Sequence, residues 1–311
     1  MLDSIPFGAR STADQVLAGV DLSGKRIVVT GCNSGIGFET MNALTANGAH
    51  VIGLARSLEE AKAACADMGP FSTPIECDLA DLDSVAAAVH AIKSFPEPLD
   101  AIVANAGIAN LPSLQTRYGI EMQFLVNHLG HFSLVNDLTP ALRDGTGRVV
   151  IVSSNASKTQ APPEGIMFDN LDGHRFYEPF LFYGQSKLAN ALHAKELSRR
   201  LAPRGIAVNS LHPGATRGTN LNKSLSLPLR LAQWAARWFM KSVPQGAATP
   251  ALLSASPHVS GISGEYWENC RIAAGNPLLE DPDLAKRLWD VSEDIVLRHR
   301  APHSSALKAA A

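Results

Sequence analysis

The chain has few cysteines, four in 311 residues, and no two of them form a CxxC pair. Cys32, Cys65, Cys77 and Cys270 are widely separated, which argues against both a disulfide framework and a zinc ribbon. They read as reduced thiols of a cytoplasmic protein. Charge of one sign is also lacking. The formal net charge is -2 with no long run of either sign, so no basic surface for nucleic acid is expected. No stretch reaches the roughly 18 apolar residues that a membrane span requires. The opening MLDSIPFGARSTADQ has no basic segment leading into an apolar one, so no secretory signal is expected. Gly-x-Ser-x-Gly is absent, which removes the usual serine-hydrolase turn. His128 and His131 share a helical face, but no third ligand accompanies them, so no metal site is expected and both read as core or interface histidines.

What is there suits a folded enzyme. Hydrophobic residues make up 46% and charged residues 18%, a balance that supports a sizeable core. Short apolar runs alternate with helical patterns. Strands are expected at 26–30, 50–55, 74–77, 101–104, 148–152 and 206–211. Helices are expected at 36–46, 58–68, 84–93, 121–142 and 182–201. Continuous apolar strands are buried on both faces, and strand–helix alternation implies a parallel sheet with right-handed crossovers. The fold class is therefore α/β, a single Rossmann-type doubly wound sheet with a small helical lid. The domain is expected over 22–300, with the lid near 215–245. Before it lies an N-terminal extension, 1–21, where Ser11–Gln15 suggests a capped short helix. Residues 301–311 are expected to form a flexible tail.

Thr30-Gly31-Cys32-Asn33-Ser34-Gly35-Ile36-Gly37 follows the first strand and opens the first long helix. One glycine permits the tight turn, another lets backbone approach a pyrophosphate, and a third lets the helix pack on the strand. The free N–H groups of the helix start then face phosphate. The second strand ends Leu54-Ala55-Arg56, without the carboxylate that would hold the ribose hydroxyl of NAD. Arg56 can instead offer a planar fork to a 2′-phosphate, with Ser57 beside it. The cofactor read here is NADP(H), with NAD(H) as the alternative if Arg56 is only a solvated charge.

Tyr183-Gly184-Gln185-Ser186-Lys187 is a YxxxK on a helix, which puts phenol and ammonium on one face. The ammonium is expected to favour the phenolate and so lower a pKa that is ordinarily about 10. Ser153 and Ser154 end the fifth strand, at the sheet edge where ligands gather. Tyr177 has Leu181 four residues on and so lacks a supporting lysine.

These motifs, in this order, resemble the short-chain dehydrogenase/reductase family, in its retinol-dehydrogenase-like and WW-domain-oxidoreductase-like branch. The resemblance covers most of the chain. It implies a catalytic tetrad of Asn127, Ser154, Tyr183 and Lys187. Asn127 would be a helix-breaking residue whose side chain helps hold a water leading to Lys187, and Ser154 would hydrogen-bond the substrate oxygen. Cofactor contacts would come from Gly31, Asn33, Ser34, Gly35, Ile36 and Gly37, from Arg56 and Ser57, and from Asp78 with Leu79. Asn105, Ala106 and Gly107, the NAG element, would contribute too, as would Tyr183, Lys187, Pro213 and Gly214. Copies would pair as a homodimer or homotetramer through the helices after the fourth and fifth strands.

Tyr183 stands twenty-nine positions after Ser154, about twice the family's usual separation. The insert carries Phe168, Phe176, Tyr177, Phe180 and Phe182. Residues 225–240 (LSLPLRLAQWAARWFM) read as a lid over an apolar substrate, a core or subunit contact, or, least favoured, a membrane contact. A small-molecule substrate, lipophilic or aromatic, such as a steroid- or retinoid-like carbonyl or alcohol, is the expectation. NAD-linked alcohol oxidation and a non-catalytic NADP-sensing or scaffold role are the alternatives.

Overall fold

The computed structural model describes residues 5–217 and 240–300. Most of the expected lid, 218–239, and the expected tail lie outside the described residues.

Among the described residues, eight strands form one sheet. β1 is Arg26–Thr30, β2 His50–Ala55, β3 Ser72–Glu76, β4 Ala101–Ala104, β5 Arg148–Val152, β6 Ala207–His212, β7 Tyr266–Glu268 and β8 Arg271–Ile272. Their spatial order is β8-β7-β6-β5-β4-β1-β2-β3. All neighbours are parallel except β7 and β8, which form an antiparallel hairpin. β1 pairs with both β2 and β4. The chain therefore reverses its winding at β1, and the crevice at that switch point is where such sheets bind ligands.

The helices are α1 (Ala13–Leu17), α2 (Gly35–Ala46), α3 (Leu58–Ala66), α4 (Leu82–Lys93), α5 (122–138), α6 (Ala156–Thr159), α7 (Pro179–Leu201), α8 (Val243–Ala255) and α9 (Pro282–His299). One apolar layer joins α1, α2 and α8 to the sheet. A second joins the other face to α4, α5, α7 and α9. α1 begins with a full capping box, in which Thr12 and Gln15 each bond the other's backbone N–H. α9 lies along α7 and reaches α5, where Trp289 packs edge-on against Phe132 at 5.0 Å. It therefore covers part of the face formed by α5 and α7.

Several expected boundaries change, three of them for a clear physical reason. β3 begins two residues earlier than the pattern suggested, at Ser72, because residues 72–76 pair with β2. The long helix gives way after Leu138 to a 3-10 turn containing Pro140, since proline cannot donate to the helical ladder. The insert after β5 ends earlier than expected, because Pro179 already starts α7 under a Glu178 cap.

Candidate active site

Two glycines of the first crossover are required by geometry. Gly31 has φ +68°, and an added Cβ would stand 3.0 Å from the Ala106 backbone. A Cβ on Gly37 would lie 2.2 Å from the Gly31 carbonyl oxygen and 2.5 Å from Asn105 Nδ2. The helix therefore rests directly on the turn that precedes it. Ser34 is the N-cap residue of α2, yet its side chain makes no capping bond, and no acid lies in the first turn. By contrast α1, α3, α4, α7, α8 and α9 are each capped by a side chain. The first N–H groups of α2 are thus open to an outside acceptor at the positive end of the helix dipole. This cradle fits the pyrophosphate of a dinucleotide.

Asn105, Ala106 and Gly107 follow β4. Asn105 N–H and Ala106 N–H both donate to Thr30 Oγ1, at 2.8 and 2.9 Å. Asn105 Nδ2 donates to the Thr30 carbonyl at 3.0 Å. A Cβ on Gly107 would come within 3.0 Å of Asn127 Oδ1 and 3.2 Å of Lys187 Nζ, so the glycine leaves room for these two groups to face one another. Thr30 is a residue whose bridging role the sequence reading missed. Its signal was a hydroxyl at the end of an otherwise apolar buried strand.

At the far corner of the crevice, Arg56 follows β2. Its side chain is 76% exposed and pairs with Glu60 at 3.3 Å. No acid ends β2. Ser57 caps α3 by accepting from Glu60 N–H at 3.3 Å. Asp78 Oδ1 accepts from Ala80 N–H. The Leu79 carbonyl lies so close to α5 that a Cβ on Gly130 would meet it at 2.4 Å. On the other flank, Gly214 has φ +93°, and a Cβ there would strike Lys241 Cδ at 2.7 Å. The turn after β6 thus leaves no room for a side chain.

The tetrad expected from the sequence converges. Ser154 follows β5, Tyr183 and Lys187 sit one turn apart in α7, and Asn127 lies inside α5. The Ser154 side chain faces Tyr183 and pulls the phenol's pKa down, and Lys187 Nζ is 5.9 Å from the centre of the Tyr183 ring. Lys187 Nζ donates to the Val152 carbonyl at 3.2 Å, and Ser153 Oγ donates to the Lys187 carbonyl at 2.7 Å. These two bonds tie α7 to the end of β5.

The residues between Tyr183 and Lys187 hold the site together. Gly184 admits the insert, since a Cβ there would stand 2.4 Å from the Gln160 backbone. Gln185 accepts from Met167 N–H at 2.7 Å. Ser186 accepts from Asn127 Nδ2 at 2.9 Å and donates to the Tyr183 carbonyl at 2.8 Å.

Two expectations are revised. Asn127 does not break its helix. Residues Leu125–Leu129 widen into a π turn and the helix runs on, a local defect often found at functional sites. Its side chain accepts from Ile108 N–H at 2.8 Å and donates to the Ile108 carbonyl at 2.9 Å, as well as to Ser186. The amide thus pins the loop after β4. The second revision concerns charge. Burial pushes the Tyr183 phenol up to about 12, against the opposing pull of the Ser154 hydrogen bond. Burial also brings Lys187 down to about 8. Desolvation, rather than the neighbouring lysine, decides the phenol.

Tyr177 is engaged elsewhere, donating to the Leu111 carbonyl at 2.8 Å and accepting from Gln123. Of the insert's aromatics, Phe182 is fully buried, while Phe176 and Phe180 are exposed. Ala109 and Ala156 pack against Tyr183, giving the reacting end of the cleft apolar walls.

Comparison with known proteins agrees with this geometry. Residues 25–166 match the model of the short chain dehydrogenase family. The chain is 39% identical to WW domain-containing oxidoreductase of Danio rerio, covering 95% of this chain and 74% of that protein. It is 38% identical to human retinol dehydrogenase 14, covering 88% and 87%. A crystal structure of a short chain dehydrogenase from Burkholderia cenocepacia in complex with NADP superposes with TM-score 0.64 at 28% identity, covering 80% of this chain and 98% of that one.

Proposed function

Because the chain belongs to the short-chain dehydrogenase/reductase family, in the branch of WW domain-containing oxidoreductase and retinol dehydrogenase 14, we propose that it is an NADP(H)-dependent oxidoreductase interconverting a carbonyl and an alcohol on a lipophilic or aromatic substrate. The family's chemistry is carbonyl–alcohol oxidoreduction with a nicotinamide cofactor. The single observation that carries the rest is the hydroxyl pair of Ser154 and Tyr183 beside the buried Lys187, in the same crevice as the open start of α2.

When bound, the dinucleotide supplies or accepts the hydride. The chain's own residues handle binding, orientation and the proton. The first N–H groups of α2 hold the pyrophosphate, while Arg56 and Ser57 meet the 2′-phosphate. Ser154 donates to the substrate oxygen and steadies the charge that develops there. Tyr183 delivers the proton to that oxygen in reduction and removes it in oxidation. A phenol raised to about 12 rests protonated, which suits the reductive direction. Lys187 supplies positive charge beside the phenol while it remains an ammonium. Asn127 fixes the loop that carries Gly107.

The lipophilic substrate class is supported by Ala109 and Ala156 against Tyr183 and by the aromatic residues of the insert. Four unpaired cysteines support a reducing compartment such as the cytoplasm. A homodimer or homotetramer built on α5 and α7 would also have to engage α9, and light scattering would decide the state. The test of function is NADPH consumption against a panel of retinoid, steroid and aryl carbonyls, repeated with NADH. Consumption with that panel and weak use of NADH is the expected result. Preference for small polar sugars would overturn the substrate class, and equal use of NADH would overturn the cofactor choice.

A further inference from the structure

Ser154 is held from behind by a tyrosine that the sequence reading did not single out. Tyr266 stands on β7 and is buried. Its hydroxyl donates to the Ser154 carbonyl at 3.2 Å. Ser157 donates to the same carbonyl twice, from Oγ at 2.6 Å and from its backbone N–H at 3.0 Å, so that oxygen is fully engaged. Ala156 N–H donates to Ser154 Oγ at 3.2 Å. With its carbonyl pinned from two sides and its Oγ already accepting a bond, the Ser154 hydroxyl has its own proton to donate. The group it meets is the Tyr183 phenol.

The surroundings of Tyr266 keep its hydroxyl a donor. Burial pushes this phenol up to about 12, and Glu268 adds to the rise. Lys158 Nζ lies 5.6 Å from the ring centre, and Lys158 is itself paired with Glu268 at 3.7 Å. Gly275 backs the ring so closely that a Cβ there would stand 3.3 Å from Cγ. The ring therefore has little freedom to turn its oxygen elsewhere.

We infer that Tyr266 is a positioning residue, acting through the Ser154 carbonyl to hold the Ser154 hydroxyl against Tyr183. This rests on the reading of Ser154 and Tyr183 as the reacting pair. If Tyr266 served only to fill space, phenylalanine would serve equally well, since it keeps the ring and removes one oxygen.

The experiment compares wild type with Tyr266→Phe, using NADPH and all-trans-retinal as probes. Losing a donor that touches the reacting oxygen costs roughly 10²–10³ in rate, so losing one that acts through Ser154 is expected to cost about tenfold in kcat. KM, NADPH affinity and melting temperature should stay near wild type. The second readout needs no turnover. The ionisation of Tyr183, followed by NMR of ring-labelled tyrosine, should move to higher pH in the variant, because the Ser154 hydrogen bond is what pulls it down. Ser157→Ala removes the hydroxyl donor but keeps the residue's N–H bond to the same carbonyl, and should give the same signature at smaller size. Wild-type rates and an unmoved Tyr183 titration in both variants would overturn the inference. A wild type that leaves retinal and the rest of the carbonyl panel untouched, or a fully active Tyr183→Phe, would instead overturn the proposed function, and the titration would still decide the role of Tyr266.

Discussion

Thr30 and His131 share a 2.9 Å hydrogen bond between the end of β1 and the inside of α5. His131 Nδ1 faces the Asn127 carbonyl at 2.9 Å, and a carbonyl only accepts, so Nδ1 carries the proton. Nε2 is then the acceptor, and Thr30 Oγ1 donates to it while accepting from Asn105 and Ala106. One fixed chain of bonds thus runs from the NAG element through β1 to the π turn at Asn127. Thr30→Val keeps the shape and removes the three bonds made by the Thr30 hydroxyl. It leaves two backbone N–H groups without their acceptor, at about 1–3 kcal/mol each. A loss of at least about 2 kcal/mol in urea unfolding is expected, and a change within about 0.5 kcal/mol would show that water takes over these groups.

Lys187 sets the upper limit of the pH profile. Burial lowers it to about 8, so the ammonium is present below that pH and lost above it. Tyr183 stays protonated well beyond. The reductive kcat should therefore hold at neutral pH and fall as pH rises through about 8. Lys187→Met should be slow throughout and lack that break. A wild-type profile flat from pH 7 to 10 would refute the assignment.

Arg56 is exposed, and its pairing with Glu60 across one helical turn is worth only a few tenths of a kcal/mol. The guanidinium can leave that pair at little cost to meet a phosphate. Arg56→Glu places a like charge at the proposed 2′-phosphate position. It should weaken NADPH about 10- to 100-fold, as for loss of a charged partner worth roughly 1.5–3 kcal/mol, with NADH changed far less. Calorimetric titration of both nucleotides checks this, and equal losses for the two would remove Arg56 from the site.

Three buried histidines, His128, His131 and His193, and the half-buried His212 should make the fold acid-sensitive. Burial takes His128 down to about 3, His131 and His212 to about 4, and His193 well below its usual value. Unfolded, each takes up a proton near pH 6.5. Between about pH 4 and 6.5 the unfolded chain binds more protons than the folded one, so stability falls as pH falls. The slope approaches about 1.4 kcal/mol per pH unit for each histidine. Melting temperature should drop steeply from pH 6.5 to 5, and a flat curve there would contradict the buried, neutral state.

Much of this architecture was legible in local pattern. Arg26–Thr30, His50–Ala55 and Ala101–Ala104 fall where their apolar runs placed them. β7 and β8 escaped notice because runs of three and two residues show no periodicity. α8 escaped because small residues and an internal Pro250 blur its pattern. Tyr266 was hidden with β7, although its Tyr-Trp pair is a strand signal in itself.

By itself the sequence determined the order of the longer elements as far as β6, the glycine turn and the one-turn spacing of Tyr183 and Lys187, because these depend on neighbours a few residues apart. Only the tertiary structure decided how the groups behave. Burial, a property of the whole packed chain, raised the phenol and lowered the lysine, where local spacing alone pointed the phenol downward. Packing also brought Tyr266 to Ser154 across 112 positions of sequence and left room for Lys187 beside Asn127 only because residue 107 has no side chain. Such contacts are set by how layers stack, and stacking leaves no periodic trace in any one stretch of chain.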